Sequence, residues 1–430
     1  MKLSEIFPRW LYYFGWIIAL PILVLGIIIH IIINPKQFKP YLKRLGIILP
    51  KPSKKNNIWI HAVSVGEVAA AANLIPTIQN NFSNDIVLTC STITGYDMAM
   101  KKLSDKILIH YFPFDFPLID YFFIKRVNPY IAIFLEMEIW PSIIHSLYKR
   151  NIPIFLVNAR LGDTEFKRYS IFKKLFNPIL SKYSIILCQS YQDKERFNKI
   201  GAKESALGFT GNIKYDLSTK VNTENKFNIS NLLNELDKRI ILTLASSHSG
   251  EEKLIIQSYM VLKKDFKHLQ LIIVPRHPHR TSELETILKE NKLPYTLRQG
   301  ETNTKSDILI INTIGEMMDV FDLSDLIVMG GSFSEKVGGH NIIEPASLGK
   351  PVIVGPHMEN FRDVVNIFKA RDAYVEINYD NLTEKLWLYI ADNNKRLILG
   401  NNQYMAVKFN KGASRRTANE IKKYMLNFIN

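Results

Sequence analysis

From residue 57 onward, short runs of apolar and β-branched residues alternate with stretches in which apolar residues recur at helical spacing. The runs are almost continuously apolar, which is typical of parallel strands covered by helices on both faces. Strands alternating with helices predict an α/β protein built from doubly wound parallel sheets. The pattern predicts strands at residues 57–63, 85–91, 106–111, 130–135, 152–157 and 183–188, and again at 239–244, 271–274, 307–311, 325–329, 351–354 and 373–377.

A polar, asparagine-rich stretch interrupts this alternation, and it predicts a linker over residues 219–236. We therefore expect two Rossmann-like domains, one over residues 36–218 and the other over residues 237–430. In such domains ligands bind at the carboxyl ends of the strands, so the two sites are expected to face a cleft. The last helix of the chain is expected to be able to pack back on the first domain.

The beginning of the chain has a different pattern. Residues 10–33 contain no formally charged side chain, and as a helix they would span about 36 Å, enough for a hydrocarbon core of about 30 Å. A cleaved signal peptide would have a shorter apolar region ending in small residues, and a buried core helix is the other alternative. Lysines and one arginine follow without an acidic residue before Glu67. This flank predicts a signal-anchor helix within residues 1–35, with the body of the protein on the cytoplasmic side.

Composition limits the classes of function. Of the 430 residues, 47% are hydrophobic and 22% are charged, which excludes global disorder. The two cysteines, Cys90 and Cys188, lie in apolar runs, and they make neither a disulfide scaffold nor a zinc site. The formal charge of +15 predicts an anionic partner, which is a nucleic acid, an acidic membrane surface or a phosphorylated substrate.

The first candidate for chemistry is Glu67, in the sequence H-A-V-S-V-G-E that leads from the first strand into a helix. Ser64 and Glu67 have the spacing of a capping box, so one interpretation is a structural cap. The other is a general base, because a helix N-terminus favours the ionised carboxylate and that carboxylate accepts a proton from an incoming hydroxyl. Spacing alone leaves both interpretations open.

Two further carboxylates follow a later strand, in E-M-E-I-W-P. Glu136 and Glu138 lie two residues apart on extended backbone and therefore face the same side. They are either a solvated acidic turn or part of a site at the end of the strand. Lys214, in G-N-I-K-Y-D just before the linker, is placed to reach into the cleft, and the alternative is a surface lysine like most others of the chain.

In the second half, Arg276 ends a predicted strand and has the planar guanidinium that pairs with phosphate. Glycine pairs at 330–331 and 338–339 precede a predicted helix start, where backbone amides and the helix dipole favour an anion. Glu344 in that helix can accept hydrogen bonds from ribose hydroxyls, and the turn at Gly315 offers further amides. The chain has no Asp-x-Asp sequence, so a metal-dependent nucleotide-sugar site of that type is not supported, and His277 and His279 lack a third ligand nearby.

Taken together, these motifs resemble those of the 3-deoxy-D-manno-octulosonic acid (Kdo) transferases, membrane-associated glycosyltransferases of the GT-B fold that act in lipopolysaccharide synthesis. The resemblance extends over essentially the whole chain, and its motifs occur in matching order. The sequences that carry it are HAVSVGE (61–67), EMEIWP (136–141), NARL (158–161), GNIKYD (211–216), PRHP (275–278), GGSF (330–333) and GGHNIIEPASLGKPVIVGPHMENFRD (338–363).

The resemblance implies a donor, an acceptor and a set of residues. It implies transfer of Kdo from CMP-Kdo to the lipid A precursor (lipid IVA) at the inner membrane, with inversion at the anomeric carbon, no metal and no cofactor. Glu67 resembles the general base, and Glu136 and Lys214 resemble the transition-state stabilising positions, although Glu138 is a rival to Glu136. The positions that match contacts to CMP are Pro275, Arg276, Gly315, Glu316, Met317, Asn341, Ile342, Ile343 and Glu344.

Two other classes of function are expected to behave differently. A related enzyme, such as a nucleotide-sugar epimerase or an N-acetylglucosaminyl transferase, would use a UDP donor. A non-catalytic protein that binds acidic lipid or nucleic acid would leave the three glutamates without a role. The expected partners are therefore CMP-Kdo, the lipid A precursor and membrane lipids, and no nucleic acid.

Overall fold

The computed structural model describes residues 3–216, 221–235, 238–300 and 304–429. The chain forms two units, and each contains one parallel sheet. The first unit consists of Met1–Asp216 together with Gly412–Asn430, and the second unit consists of Leu217–Lys411.

The first unit is built on a seven-stranded parallel sheet. Its strands are β1 (Asn57–Ala62), β2 (Ile86–Cys90), β3 (Leu108–Tyr111), β4 (Pro129–Leu135), β5 (Ile154–Ala159), β6 (Ile185–Cys188) and β7 (Leu207–Phe209). They lie in the order β3-β2-β1-β4-β5-β6-β7, so the direction of winding reverses between β1 and β4. The carboxyl ends of these two strands therefore form the crevice in which open α/β sheets bind ligands.

Helices cover this sheet on both faces, which explains why β1, β2 and β5 are buried along their whole length. The helices are α1 (Leu3–Ile33), α2 (Phe38–Arg44), α3 (Val65–Asn81), α4 (Ile93–Leu103), α5 (Pro117–Val127), α6 (Pro141–Lys149), α7 (Asp163–Ile171), α8 (Lys173–Leu180) and α9 (Tyr191–Lys199). Cys90 and Cys188 are buried free thiols in β2 and β6, as their apolar surroundings predicted.

The second unit has a six-stranded parallel sheet in the order β10-β11-β9-β8-β12-β13, with the reversal between β8 and β12. The strands are β8 (Ile240–Ser247), β9 (Leu269–Pro275), β10 (Thr296–Leu297), β11 (Ile308–Ile310), β12 (Leu326–Met329) and β13 (Val352–Val354). The helices are α10 (Thr223–Ser230), α11 (Glu251–Asp265), α12 (Thr281–Glu290), α13 (Met317–Leu323), α14 (Ile343–Ser347), α15 (Arg362–Lys369), α16 (Leu382–Ala391) and α17 (Asn393–Asn410).

The final helix, α18 (Ala413–Ile429), belongs to the first unit. Its buried residues Ala418, Ile421 and Met425 join the core that contains β1, β2 and α3. The loop before it is fixed by Asp216, whose carboxylate accepts hydrogen bonds from the amides of Gly412 and Ser414 at 2.5 and 2.6 Å.

Most predicted strands are present, with two kinds of error. Residues 373–377 do not form a strand, because β13 is only three residues long and bonds to them through a single bridge, Val354 to Glu376. The edge strands β7 and β10 were not predicted, since two or three residues are too few to show a pattern. Residues 219–220 and 236 of the predicted linker lie outside the described residues, and residues 223–230 between them form α10.

The predicted membrane anchor is not confirmed. Residues 10–33 lie within α1, and within residues 3–216, 221–235, 238–300 and 304–429 no helix is long and apolar enough to cross a membrane. The hydroxyl of Tyr12 donates to the Asp115 carboxylate at 2.6 Å, and the Trp16 ring meets the edge of Phe116 at 6.3 Å. Part of this helix therefore packs on the first unit. Residues 1–2 lie outside the described residues.

Candidate active site

In the first unit, Glu67 lies in the first turn of α3, directly after β1 and at the reversal of the sheet. Ser64 caps this helix and its Oγ accepts from the Glu67 amide at 3.4 Å. The Glu67 carboxylate in turn accepts from the Val63 amide at 2.8 Å and from the Ser64 hydroxyl at 3.1 Å. The capping interpretation of this segment is therefore correct as geometry, and it holds the carboxylate in one orientation.

The electrostatics of Glu67 differ from the expectation. The sequence predicted an ionised carboxylate stabilised by the helix N-terminus, but the side chain is only 7% exposed. Burial, together with the negative charges of Glu136 and Glu138, raises the pKa of Glu67 to about 8, although the hydrogen bonds from Val63 and Ser64 oppose this shift. Desolvation thus outweighs the helix terminus. A carboxylate whose pKa lies near the working pH suits a general base.

Glu136 follows β4, on the other side of the reversal. Its φ of 61° places a residue other than glycine in the left-handed region, a strained conformation that recurs at functional sites. Its Oε1 lies 2.8 Å from Nζ of Lys214, and both side chains are mostly buried. The structure therefore brings together Glu67, Glu136 and Lys214, which lie far apart in the sequence.

Lys214 is held by a short helical turn, Ile213–Tyr215. The side chain of Asn212 caps this turn by accepting from the Lys214 amide at 2.9 Å. Asn158, which is fully buried, accepts from the Ile213 amide at 2.9 Å and so ties the turn to the end of β5. Asn158, within N-A-R-L, is therefore a positioning residue for the lysine.

Glu138 makes different contacts from Glu136. Its carboxylate accepts from the indole Nε1 of Trp140 and lies 3.6 Å from Nε2 of the buried His61. The other His61 nitrogen, Nδ1, lies 3.0 Å from the Thr89 hydroxyl. Glu136 pairs with the lysine, whereas Glu138 accepts from an indole and lies near an imidazole, so the two acids of E-M-E have separate environments.

In the second unit, the reversal between β8 and β12 is occupied by Glu251, at the start of α11. Its carboxylate accepts from the amides of His248 and Gly331 at 2.8 Å and of Phe333 at 3.2 Å. Burial raises the pKa of Glu251, while these three amides oppose the shift. Glu251 therefore joins the loops that follow β8 and β12.

This arrangement limits which amides of the glycine loop are available to a ligand, and binding of an anion there stays a prediction. The amides of Gly330 and Gly339 donate to the carbonyls of Ala245 and Gly331, and the amide of Gly331 is taken by Glu251. The amides of Gly330, Gly331 and Gly339 therefore all have acceptors within the protein. A Cβ at Gly330 would lie 2.6 Å from the Ser246 carbonyl oxygen, so glycine is needed there for the close approach of the two loops.

The helix that follows the glycine pairs is short, and one of its first amides already has an acceptor. Helix α14 has only 5 residues, and the amide of Ile343 donates to the side chain of Asn341 at 3.0 Å. Ile342 and Ile343 are buried, so their side chains face the core. Glu344 is half-buried, and its carbonyl accepts from Ser347.

Two histidines lie beside Arg276 in this unit. Nε2 of His248 is 2.8 Å from Nε2 of His340, and their rings stack at 5.1 Å. Burial, with the nearby charges of His248, Arg276 and His277, lowers the pKa of His340 to about 4. Arg276 is exposed, and no described residue makes an ion pair with its guanidinium. A group that holds a phosphate is available here.

The remaining predicted contacts have mixed environments. Gly315 is exposed with a φ of 100°, and a Cβ added there would meet nothing within 4 Å. Glu316 forms an ion pair with Arg298, whose guanidinium lies 2.9 Å from its carboxylate. Burial opposes ionisation of Glu316, but the bonds from Arg298 and Thr313 prevail and lower its pKa. Met317 begins α13 and packs against a small core cluster, and Pro275 ends β9 and is buried.

Sequence reasoning missed His248 and Glu251. A signal was available, because Gly250-Glu251 after β8 repeats the Gly66-Glu67 pair that follows β1. Among the described residues, no group of three or more His, Cys, Asp or Glu side chains is arranged to hold a metal ion.

Known proteins resemble this chain over most of its length. A family model described as 3-deoxy-D-manno-octulosonic-acid transferase (kdotransferase) matches residues 39–217. A 3-deoxy-D-manno-octulosonic acid transferase of Haemophilus influenzae is 33% identical over 373 residues, which covers 86% of this chain and 87% of that protein. One of the same name from Rickettsia bellii is 30% identical over 403 residues, covering 93% of this chain and 94% of that protein.

A solved structure supports the fold. The crystal structure of a glycosyltransferase from Rickettsia africae matches with a TM-score of 0.58 and 16% identity, and it covers 87% of this chain and 99% of that one. At this identity the likeness shows the fold alone, which is GT-B-like with two parallel sheets. With relatives of this identity and coverage, the chain belongs to the 3-deoxy-D-manno-octulosonic acid transferase family and is a glycosyltransferase.

Proposed function

We propose that this protein transfers Kdo from CMP-Kdo to a hydroxyl of the lipid A precursor in lipopolysaccharide synthesis, with inversion of the anomeric configuration. The observation that supports this most is the group formed by Glu67, Glu136 and Lys214 at the reversal of the first sheet. Family membership supports Kdo as the transferred sugar, and the position of Glu67 in this group supports its proposed role as the base.

The base in this proposal is Glu67. Its carboxylate takes the proton of the acceptor hydroxyl as that oxygen attacks the anomeric carbon and CMP departs. The hydrogen bonds from Val63 and Ser64 keep the carboxylate oriented, so little reorganisation is needed when the proton moves. An inverting displacement needs one base, and no covalent sugar intermediate forms.

The charged pair and the second unit serve the donor in this proposal. Lys214 and Glu136 hold each other at 2.8 Å and stabilise charge that develops at the sugar. Arg276 pairs with the phosphate of the nucleotide, on which negative charge builds as CMP leaves. We expect no metal or cofactor in this step, because the chain lacks the Asp-x-Asp sequence of metal-dependent nucleotide-sugar sites.

We also propose that the protein works at the cytoplasmic face of the inner membrane. Helix α1 exposes several large apolar side chains, which suit an apolar surface. The exposed lysines Lys36 and Lys39 follow it and attract anionic headgroups. The exposed apolar side chains are Ile18, Ile22, Val24, Leu25, Ile28, Ile29, Ile32 and Ile33.

The experiment that tests the function uses the full chain in detergent micelles with CMP-Kdo and the tetra-acylated lipid A precursor. Mass spectrometry of the lipid is expected to show a gain of Kdo, and the number of additions follows from the mass. Addition of EDTA is expected to leave the rate unchanged.

Two controls make this experiment decisive. Glu67→Gln, which keeps the shape of the side chain, is expected to lose nearly all transfer. UDP-N-acetylglucosamine replaces CMP-Kdo in a parallel reaction and is expected to give no product. Transfer from the UDP sugar, or full activity of the Gln variant, would overturn the proposal.

A further inference from the structure

The first unit contains an apolar groove that the proposed chemistry does not use. It has a volume of about 720 Å³ and lies between α1, the segment that follows Glu138 and helix α8. This volume is within the range of about 300–1,000 Å³ typical of small-molecule sites. Among the described lining residues, the one with a formal charge is Lys182. A groove with this lining suits a hydrocarbon chain.

One wall of the groove is a single face of α1. Gly15, Trp16, Ala19 and Leu23 line it, and their spacing of three and four residues places them on one side of the helix. Other residues of α1, such as Ile22, are exposed, so apolar surface continues from the groove to the outside of the protein.

The opposite wall is joined to the acidic group of the active site. Ile139, Trp140 and Pro141 line the groove, and the indole of Trp140 donates to the carboxylate of Glu138. Glu138 is near enough to Glu67 to contribute to its raised pKa. This wall of the groove is therefore linked, through Trp140 and Glu138, to the neighbourhood of Glu67.

We propose that this groove binds one acyl chain of the acceptor lipid. The proposal rests on the proposed function, and it adds a binding site for the acceptor tail. The continuous apolar surface of α1 gives the chain a path out of a lipid layer, and the Trp140 wall directs the sugar toward the base. Because burial of each CH₂ group of the chain is favourable, loss of a few of these contacts is expected to change affinity strongly.

Two glycines of α1 provide a matched pair of variants. A Cβ added at Gly15 or at Gly26 would meet nothing within 4 Å, so both positions have open space. Gly15 lines the groove, whereas Gly26 is not among its lining residues. Gly15→Phe therefore places a ring in the groove, and Gly26→Phe places the same ring elsewhere on the same helix. Both changes replace glycine in a helix, so neither is expected to weaken the helix.

The first measurement compares two acceptors, the tetra-acylated precursor and its deacylated, water-soluble disaccharide. Gly15→Phe is expected to lower the ratio of kcat/KM for the acylated over the deacylated acceptor at least tenfold, and Gly26→Phe to keep the ratio of the parent protein. An equal ratio in all three proteins would overturn the groove as the acyl site and leave the proposed function intact.

The second measurement needs no enzyme activity. A fluorescent polyene fatty acid is titrated into the full chain and into both variants. Gly15→Phe is expected to weaken its binding at least tenfold, and Gly26→Phe to have no such effect. Equal binding by the two variants would contradict the proposal. A groove covered by a second copy of the chain would contradict it as well, and size-exclusion chromatography would then show a dimer that is lost in Gly15→Phe. Absence of transfer together with groove-dependent fatty acid binding would instead refute the proposed reaction.

Discussion

The two units place a glutamate at the same point of the fold and use it differently. Glu67 and Glu251 both lie in the first turn of the helix that follows the first strand of their sheet, at the reversal of strand order. Both are buried, and burial raises the pKa of both. Their partners differ, because Glu251 accepts hydrogen bonds from three amides in two loops, while Glu67 accepts hydrogen bonds from one amide and one hydroxyl.

This difference separates a structural carboxylate from a chemical one. Three backbone amides donate to Glu251 and favour its ionised form, against burial and the nearby charge of Glu252. Glu67 has fewer hydrogen-bond donors and lies near two like charges, Glu136 and Glu138, which make its ionised form less stable and so more ready to take a proton. The same position in the fold thus serves as a link between loops in one unit and as a candidate base in the other.

The largest expected effect is a loss of transfer rate when Glu67 is changed. Glu67→Gln keeps the acceptor oxygen for the Val63 amide but removes the base, and loss of a general base costs about 10²–10⁴ in rate. We expect kcat in the lipid transfer assay to fall by that factor while CMP binding, measured by isothermal titration calorimetry, is retained.

Ser64→Ala is the matched control for the capping interpretation. It removes the N-cap hydroxyl, which costs about 1 kcal/mol of stability, and leaves the Glu67 carboxylate present. If Glu67 served only as part of the cap, the two variants would lower transfer equally, and the comparison between the two glutamates would fail.

The next effect is on the stability of the second unit. Glu251→Ala leaves the amides of His248, Gly331 and Phe333 without their acceptor, at a cost of about 1–3 kcal/mol for each buried donor that stays unsatisfied. Urea unfolding is expected to show a loss of several kcal/mol. Glu335→Ala, at an exposed position of the same unit, is expected to change the midpoint little. Equal midpoints for both variants would show that Glu251 does not link the loops.

A smaller effect is expected for the phosphate contact. Arg276→Ala removes the proposed charge-assisted hydrogen bond to CMP, which is worth about 1.5–3 kcal/mol, or about tenfold to a hundredfold in Kd. Isothermal titration calorimetry measures this loss directly. Lys336→Ala, an exposed cation of the same unit, controls for net charge. Equal affinities for CMP in the two variants would remove Arg276 from the nucleotide site.

The fold was largely predictable, because strands that are buried on both faces have continuously apolar sequences. The residues that reach the site were predictable where they follow such a run, as Glu67 follows β1 and Glu136 follows β4. Their pairing with Lys214 was not, because it depends on a turn fixed by Asn158 from a third strand.

The electrostatics were harder to predict than the positions. From the sequence, the helix N-terminus was expected to ionise Glu67, since nothing in a linear pattern reports how deeply a side chain is buried. The glycine loop was interpreted as an anion site, which stays a prediction, but the amides of Gly331 and Phe333 already donate to Glu251. The sequence does not show that an internal carboxylate competes with a ligand for the same amides, because that depends on the folded structure.

The smallest expected effect is a shift in pH dependence. Because the pKa of Glu67 is about 8 and the base must be deprotonated, kcat/KM is expected to rise with pH and level off above that value. Glu136→Gln removes a neighbouring negative charge, so the inflection is expected to move down by about half a unit to one unit. An inflection that stays in place would mean that another group controls the profile.

The raised pKa of Glu67 also predicts how stability depends on pH. The sign of this dependence is opposite to that of a salt-bridged acid, whose pKa is lowered on folding. The pKa of Glu67 is about 8 in the folded state, while an unfolded glutamate titrates near 4.3. Between these values the folded protein binds more protons, so the contribution of Glu67 to stability falls as pH rises through this window. Glu67→Gln, which cannot titrate, is expected to be stabilised relative to the parent protein more at pH 8.5 than at pH 6 in urea unfolding. A difference that is the same at both pH values would show that the carboxylate is already ionised at pH 6, and Glu67 would then resemble an ordinary helix cap.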